Sequence, residues 1–348
     1  MPSSFDRLAT HPNQSMTSWA ALRRSRILGS SAAIREVAKR HFEPGRRVDV
    51  FKVIEDERIW LMFQPLGRLY GFFERVGNAA GIVVHSGHPL SLQRFTAAHE
   101  FGHYILGHDL SVDSEDKLYG TSNDPNEVAA HAFAADFLMP ITLVNRALDR
   151  LGLRASVAKL TAEGAYQLAL ELGSSYAATV TQLVALKIIG KQAGLRLKAV
   201  RPLDVKISIA GSRPENTRVD LWTVTKGQNR DLVLGIADQL HIEMPEIPTS
   251  GYRWAIAHAP LGLDLTGDDS RPLRDARDAI GGSTLRHFVL TATRPVDSFV
   301  DLQLMREWEA AGEPVDSVHL DVRVLKPAVD ETGSGVSRRV GRKILQVA

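Results

Sequence analysis

The stretch Arg94-Phe95-Thr96-Ala97-Ala98-His99-Glu100-Phe101-Gly102-His103 sets two histidines four residues apart, with a glutamate directly after the first. On a helix, residues four apart lie on nearly one face, so this segment predicts a two-imidazole clamp for one metal ion with a carboxylate base beside it. Leu92, Phe95, Gly102 and Leu106 supply an apolar stripe on the same helix, and Ala97 and Ala98 are small just before the first histidine. Ser91 is the expected N-cap and Gly107 the expected end. The chain has no cysteine, which leaves metal ligation to His, Asp and Glu. One Zn2+ ion suits such ligands: it accepts nitrogen and oxygen donors in tetrahedral geometry and, with three protein ligands, keeps a fourth position for water. Glu100 would take a proton from that water and pass it to a departing amine, which is the chemistry of peptide hydrolysis.

A third ligand must come from outside the motif, and His108, Asp109 and Glu127 are the candidates. The extended motif of some zinc proteases needs its third histidine six residues after the second, whereas His108 comes at five. Glu127 is favoured because it opens the next helix after enough chain for an antiparallel return. Asp124-Pro125-Asn126-Glu127 also fits a capping box, in which Glu127 would satisfy backbone donors instead. His131 follows one turn later on the same face, placed to orient that carboxylate, approach the metal or donate to an oxyanion.

Around this centre, residues 1–31 are Ser-rich and weakly patterned, and are expected to be a flexible lead-in with one helix near 19–28. A helix is expected over 32–41, extended chain over 48–53, 59–63, 71–73 and 80–85, and a second helix from Asp124-Pro125 to Pro140. Residues 147–199 read as several helices, with Gly173-Ser174-Ser175 breaking 164–172 from 177–189 in the manner of a helix-turn-helix. After Arg213-Pro214, taken as a linker, the spacing changes to alternation. Leu240, Ile242 and Met244, then Val300, Leu302 and Leu304, then Leu320, Val322 and Val324 each alternate with polar residues. About seven strands over 218–326 predict an immunoglobulin-like sandwich, and the tail from 328 is expected to be disordered.

The formal net charge of +2 gives no reason to expect a nucleic-acid partner. No stretch has the length of a membrane span, and residues 1–31 never build the apolar run of a secretory signal, so a soluble cytoplasmic protein without a membrane partner is expected.

Residues 94–103, Glu127 and the run Phe133-Ala134-Ala135-Asp136-Phe137-Leu138-Met139-Pro140 resemble the ImmA/IrrE family of bacterial metallopeptidases over about 32–197. Members of that family cleave helix-turn-helix transcriptional repressors in stress responses or mobile elements. The resemblance implies zinc ligation by His99, His103 and Glu127, Glu100 as general base, and selective regulatory proteolysis of such a repressor. His131 stands where the family commonly has Asn. A second resemblance lies in the sandwich. Residues 248–254, containing Thr249, Gly251, Tyr252 and Trp254, then Gly281-Gly282, then Arg306 and Trp308 are similar to the three recognition loops of chagasin-like inhibitors of papain-type cysteine peptidases. Here Ile247 replaces the usual Asn, Ala279 the first Gly and Glu307 the Pro. This resemblance implies a module for protein recognition or peptidase inhibition, and the alternative is an inhibitor whose N-terminal half is a scaffold or second activity.

The expected architecture is thus multidomain. An α+β zincin-like metallopeptidase domain spans 32–212 with a helix-turn-helix-like extension at about 155–199, an all-β chagasin-like sandwich spans 215–327, and terminal segments cover 1–31 and 328–348.

Overall fold

The computed structural model describes residues 12–40, 42, 46–77, 79–108, 111–114, 124–228, 230–272, 284–306, 313–325 and 335–336. The chain forms two compact units, residues 1–140 with 329–348, and residues 141–328. The expected linker at Arg213-Pro214 lies inside the second unit.

In the first unit, α1 (Pro12–Lys39) and α2 (Val50–Asp56) precede β1 (Trp60–Gln64), β2 (Leu69–Val76) and β3 (Ala79–His85). Then follow α3 (Leu90–Leu106), β4 (Ser111–Ser114) and α4 (Pro125–Leu138). The helix of α1 runs unbroken from residue 12, longer than the single helix expected near 19–28. Residues 50–53 are helical, not extended, because the Asp49 side chain accepts the Lys52 N–H and caps α2. The α3 cap is Pro89, not Ser91: Gln93 Nε2 donates to the Ser86 and His88 carbonyls and ties the incoming loop to the first turn. Gly107, at φ 72°, ends α3 in the left-handed region as its sequence position suggested.

These strands form a sheet in the order β13-β1-β3-β2-β4, in which β13 (Gly335–Val336) pairs antiparallel with β1. Close approach places α3 on this sheet: a Cβ at Gly71 of β2 would stand 2.5 Å from Thr96 Cγ2 and 2.8 Å from the Val83 carbonyl. On its other flank α3 meets α4 where Gly102 faces the Phe133 ring, inside a cluster of Phe101, Phe133 and Phe137. Gly29 of α1 in turn lies against the Ala129 carbonyl of α4. Small residues thus let α4 lie close to α3 at one crossing and to α1 at the other.

The second unit begins with α5 (Ile141–Arg150), α6 (Ala162–Leu172), α7 (Tyr176–Ala185), α8 (Lys191–Lys198) and α9 (Pro202–Ala210). Gly173 at φ 63° and the Ser175 side chain, which accepts the Ala178 N–H, make the turn between α6 and α7 that the sequence marked. Eight strands follow among the described residues: β5 (Leu221–Thr225), β6 (Asp231–Leu234), β7 (Gln239–Glu246), β8 (Arg253–His258), β9 (Leu263–Pro272), β10 (Thr284–Ala292), β11 (Val296–Met305) and β12 (Asp316–Val324). They form two four-stranded sheets, β5-β7-β10-β9 and β6-β12-β11-β8. Leu240, Ile242, Met244, Val300, Leu302, Leu320, Val322 and Val324 are buried, as the alternation required, whereas Leu304 is only half-buried; Phe288 and Leu290 join the same core.

The free edge of β5 is closed by side chains. Gln167 donates from Nε2 to the Leu221 carbonyl at 2.8 Å and accepts the Thr223 N–H at 2.9 Å, as a neighbouring strand would. Tyr166 accepts the Leu221 N–H through its hydroxyl, and Arg230 donates to the Thr223 carbonyl. Arg230 is itself held by Glu171 at 3.1 Å, and Lys206 binds the Val219 carbonyl at 2.6 Å. An edge that would otherwise offer unpaired backbone groups is therefore capped by α6, and the helices and sandwich of this unit share one polar seam.

The stretch Pro125–Arg150 is long and apolar enough to cross a membrane by length and composition. It is interrupted between Leu138 and Ile141, and most of its apolar window is buried in the protein.

Candidate metal centre

Four positions along α3 and one turn into α4 supply the centre. His99 and His103 project from α3, and their Nε2 atoms approach to 3.1 Å. Glu127, in the first turn of α4, brings Oε2 to 3.2 Å from His99 Nε2 and 3.7 Å from His103 Nε2. The helix cap beside it is made by Asp124, whose side chain accepts the Asn126 N–H, which leaves the Glu127 carboxylate facing the imidazoles. All three side chains are buried.

Two ligands about 2.05 Å from a tetrahedral ion stand about 3.3 Å apart. The three separations here, 3.1, 3.2 and 3.7 Å, bracket that edge, and the set of two imidazole nitrogens and one carboxylate oxygen is a zinc-type donor set. The residues fit a metal ion. Burial alone would raise the Glu127 carboxyl, but the adjoining His103 and His99 side chains outweigh it and hold the group well below the usual carboxylate range. The carboxylate therefore stays ionised, as a ligand must.

Glu100 is fully buried, and Oε1 lies 3.6 Å from the position of a Cβ on Gly71. That is ordinary contact, so the glycine at 71 is required by Thr96 and the Val83 carbonyl, one turn before this carboxylate. The His131 ring packs 5.0 Å from Phe95 and 6.4 Å from His99, centroid to centroid, beside the cluster. Of the other sequence candidates, His108 meets the far side of His103, Nδ1 to Nδ1 at 2.9 Å, and is no member of the three-donor set. Burial and then the neighbouring His103 lower its pKa. Asp109 lies outside the described residues.

Residues 54–181 match the family model for the IrrE N-terminal-like domain. This is a peptidase family, so the first half of the chain carries a metallopeptidase-like domain. Residues 234–322 match the chagasin family of peptidase inhibitors, and the sandwich is of that type. Solved structures similar to the chain include the cysteine protease inhibitor EhICP2 from Entamoeba histolytica, at 20% identity, 32% of this chain, 99% of that one and a TM-score of 0.29. The solution structure of Amebosin is similar at 20% identity, 30% of this chain, 98% of that one and a TM-score of 0.26. PbICP-C in complex with falcipain-2 follows at 12% identity, 31% and 91% coverage and a TM-score of 0.23. No curated protein matches the chain.

At the sandwich loops, Thr249 is exposed and Gly251 turns at φ 77°. Arg306 lies over the Tyr252 ring at 4.4 Å and reaches the Ser250 carbonyl at 3.5 Å, so two loops distant in sequence meet. Trp254 departs from the sequence expectation of a contact residue. Only 1% exposed, it is the second residue of β8 and donates from Nε1 to the Pro245 carbonyl, so its indole fills the core beneath the loop instead of its surface. Gly281, Gly282 and Trp308 lie outside the described residues.

The sequence reading missed a polar chain on β7, β10 and β9 that runs from two buried histidines to an exposed carboxylate: His241 Nδ1 meets His287 Nε2 at 3.1 Å and His287 Nδ1 meets Asp269 at 2.8 Å. His241 occupies a polar position in the alternation, and that position is read as solvent-facing unless its neighbours are known.

Proposed function

We propose that the first half of the chain is a zinc-dependent endopeptidase of the His-Glu-x-x-His type, in which His99, His103 and Glu127 hold the ion and Glu100 is the general base. The observation that carries this reading is the buried three-donor cluster, with Glu100 adjacent to it on α3. Zinc, when bound, supplies Lewis acidity for attack on a peptide carbonyl. Glu100 accepts the proton of the attacking water on its carboxylate and returns it to the leaving amine. Its burial keeps that proton from bulk solvent. His131 stands near enough to the cluster to support Glu127 or a developing oxyanion.

Selective cleavage of a helix-turn-helix repressor in the cytoplasm, linked to stress response and transcription regulation, is the biological role proposed, and the resemblance of residues 32–197 to ImmA/IrrE peptidases supports it. The test is co-expression with helix-turn-helix proteins encoded beside the gene. Cleavage by the parent protein is expected to stop in Glu100→Gln while zinc stays bound, with a rate loss of about 10²- to 10⁴-fold. Undiminished cleavage by that variant removes the mechanism.

A second reading concerns the sandwich alone, and the chagasin-family match favours it. The loops bearing Thr249, Gly251, Tyr252 and Arg306 bind a papain-like cysteine peptidase or another protein, so that the module either inhibits a peptidase or recruits the substrate. Titrating the full chain against papain separates these: inhibition supports the former, and none at about 10 µM dismisses it.

A further inference from the structure

The left-handed Gly107 turns the chain back on itself at the end of α3, and the His108 N–H bonds to the His103 carbonyl at 3.0 Å. That turn sets the two imidazoles against one another, with ring centroids 4.9 Å apart and Nδ1 to Nδ1 at 2.9 Å. The other nitrogen of His103, Nε2, faces His99 and Glu127. The two nitrogens of one ring thus point to different partners, one toward the donor cluster and one toward His108.

Two imidazole nitrogens at hydrogen-bond distance require one proton between them. If the proton were on His103 Nε2, that atom could not be a ligand. For Nε2 to offer its lone pair to an ion, the proton of neutral His103 must sit on Nδ1, and the only orientation consistent with a hydrogen bond is His103 donating to His108 Nδ1. His108 then carries its own proton on Nε2. Spacing makes this possible: the histidine five residues after His103 falls just past the helix-ending glycine, where the reversed chain can reach back behind the ring.

We propose that His108 is a positioning residue for His103, accepting its Nδ1–H and so fixing both the ring orientation and the tautomer that leaves Nε2 open to a metal ion. The inference rests on the metal-holding role proposed for His103 above. Asparagine at 108 places an oxygen near the position of Nδ1 and can accept the same proton, whereas phenylalanine preserves the ring's shape and cannot.

The experiment measures zinc affinity of the full chain by competition with a chromophoric chelator, together with the ¹⁵N and ¹H imidazole signals of His103 in the zinc-loaded protein. His108→Phe is expected to weaken zinc binding about 10- to 100-fold and to lose the hydrogen-bonded Nδ1–H signal. His108→Asn is expected to stay within about threefold of the parent and to keep that signal. If His108→Phe does not fold, His108→Ala takes its place in the comparison. A parent that binds zinc alongside an equally tight His108→Phe overturns this inference alone, as does His108→Asn failing as badly as His108→Phe. A parent that binds no zinc overturns the metal reading and the inference together.

Discussion

Replacing Gln167 with alanine removes both halves of the amide that closes the edge of β5. The Leu221 carbonyl, on a residue with no exposed surface, loses its donor at 2.8 Å, and the Thr223 N–H loses its acceptor at 2.9 Å. A buried backbone group left without a partner costs about 1–3 kcal/mol. Thr223 is only half-buried, so water can reach its N–H more easily than the Leu221 carbonyl, and the expected loss is about 2–4 kcal/mol for the pair. Because a chain of two compact units need not unfold in one step, the suitable assay is local: hydrogen exchange at the β5 amides of the full chain. Each 1.4 kcal/mol is a factor of ten, so Gln167→Ala should speed exchange in residues 221–225 by about 30- to 1000-fold. A change under about threefold would refute the edge-capping argument, because it would mean that the β7 pairing alone protects the strand. Gln167→Glu provides a signed control. It keeps an acceptor for the Thr223 N–H but sets a carboxylate against the Leu221 carbonyl, so its exchange should be fast at neutral pH and slow again in acid.

Other consequences can be checked as directly. Alanine in place of Gly29 would add about 1 kcal/mol by helix propensity alone. Its methyl, however, would sit 2.0 Å from the Ala129 carbonyl oxygen, so a net loss of about 1–3 kcal/mol is expected, and a rise in melting temperature would contradict the packing. Gly71→Ala should leave zinc affinity within about threefold but lower peptide cleavage at least about tenfold, because the new methyl, 2.5 Å from Thr96 Cγ2, displaces α3 one turn before Glu100; full activity would separate Gly71 from the base. Burial, with His287 and Arg271 adding to it, lowers His241 to about 4, so its stabilising neutral form is fully favoured above its ordinary value of 6.5 and is lost as pH falls toward 4, a contribution of about 3 kcal/mol. Burial raises Asp238 to about 6, so its penalty is relieved over the same acid range and opposes the histidine. His241→Gln should therefore gain stability relative to the parent as pH drops from 7 to 5, and urea midpoints that shift in parallel for both proteins would dismiss this account.

Much of the architecture was legible in the sequence because it depends on near neighbours. Spacing of four puts His99 and His103 on one face, and period-two alternation gave the sandwich core. Asp124, Gly107, Gly173 and Ser175 acted locally as caps and turns, as their types demand. Errors arose where a local signal was ambiguous. Val50 and Val53 suggested a strand, yet the Asp49 cap made a helix, and Pro89 with the Gln93 side chain took the role assigned to Ser91.

What the sequence by itself determined is the chemistry available: two imidazoles on one helix face with a carboxylate beside them, a second carboxylate within reach, and a separate β-rich module. Only the tertiary structure decided which groups meet. Glu127 joins the histidines because Gly102 under Phe133 lets α3 and α4 lie close enough. His108 falls behind His103 instead of beside it, Trp254 turns into the core, and Gln167 becomes a surrogate strand for β5. Periodicity reports contacts one turn or one pleat away. Contacts between residues 20 to 60 positions apart depend on how surfaces of particular shape fit, and that fit has no signature in a linear pattern.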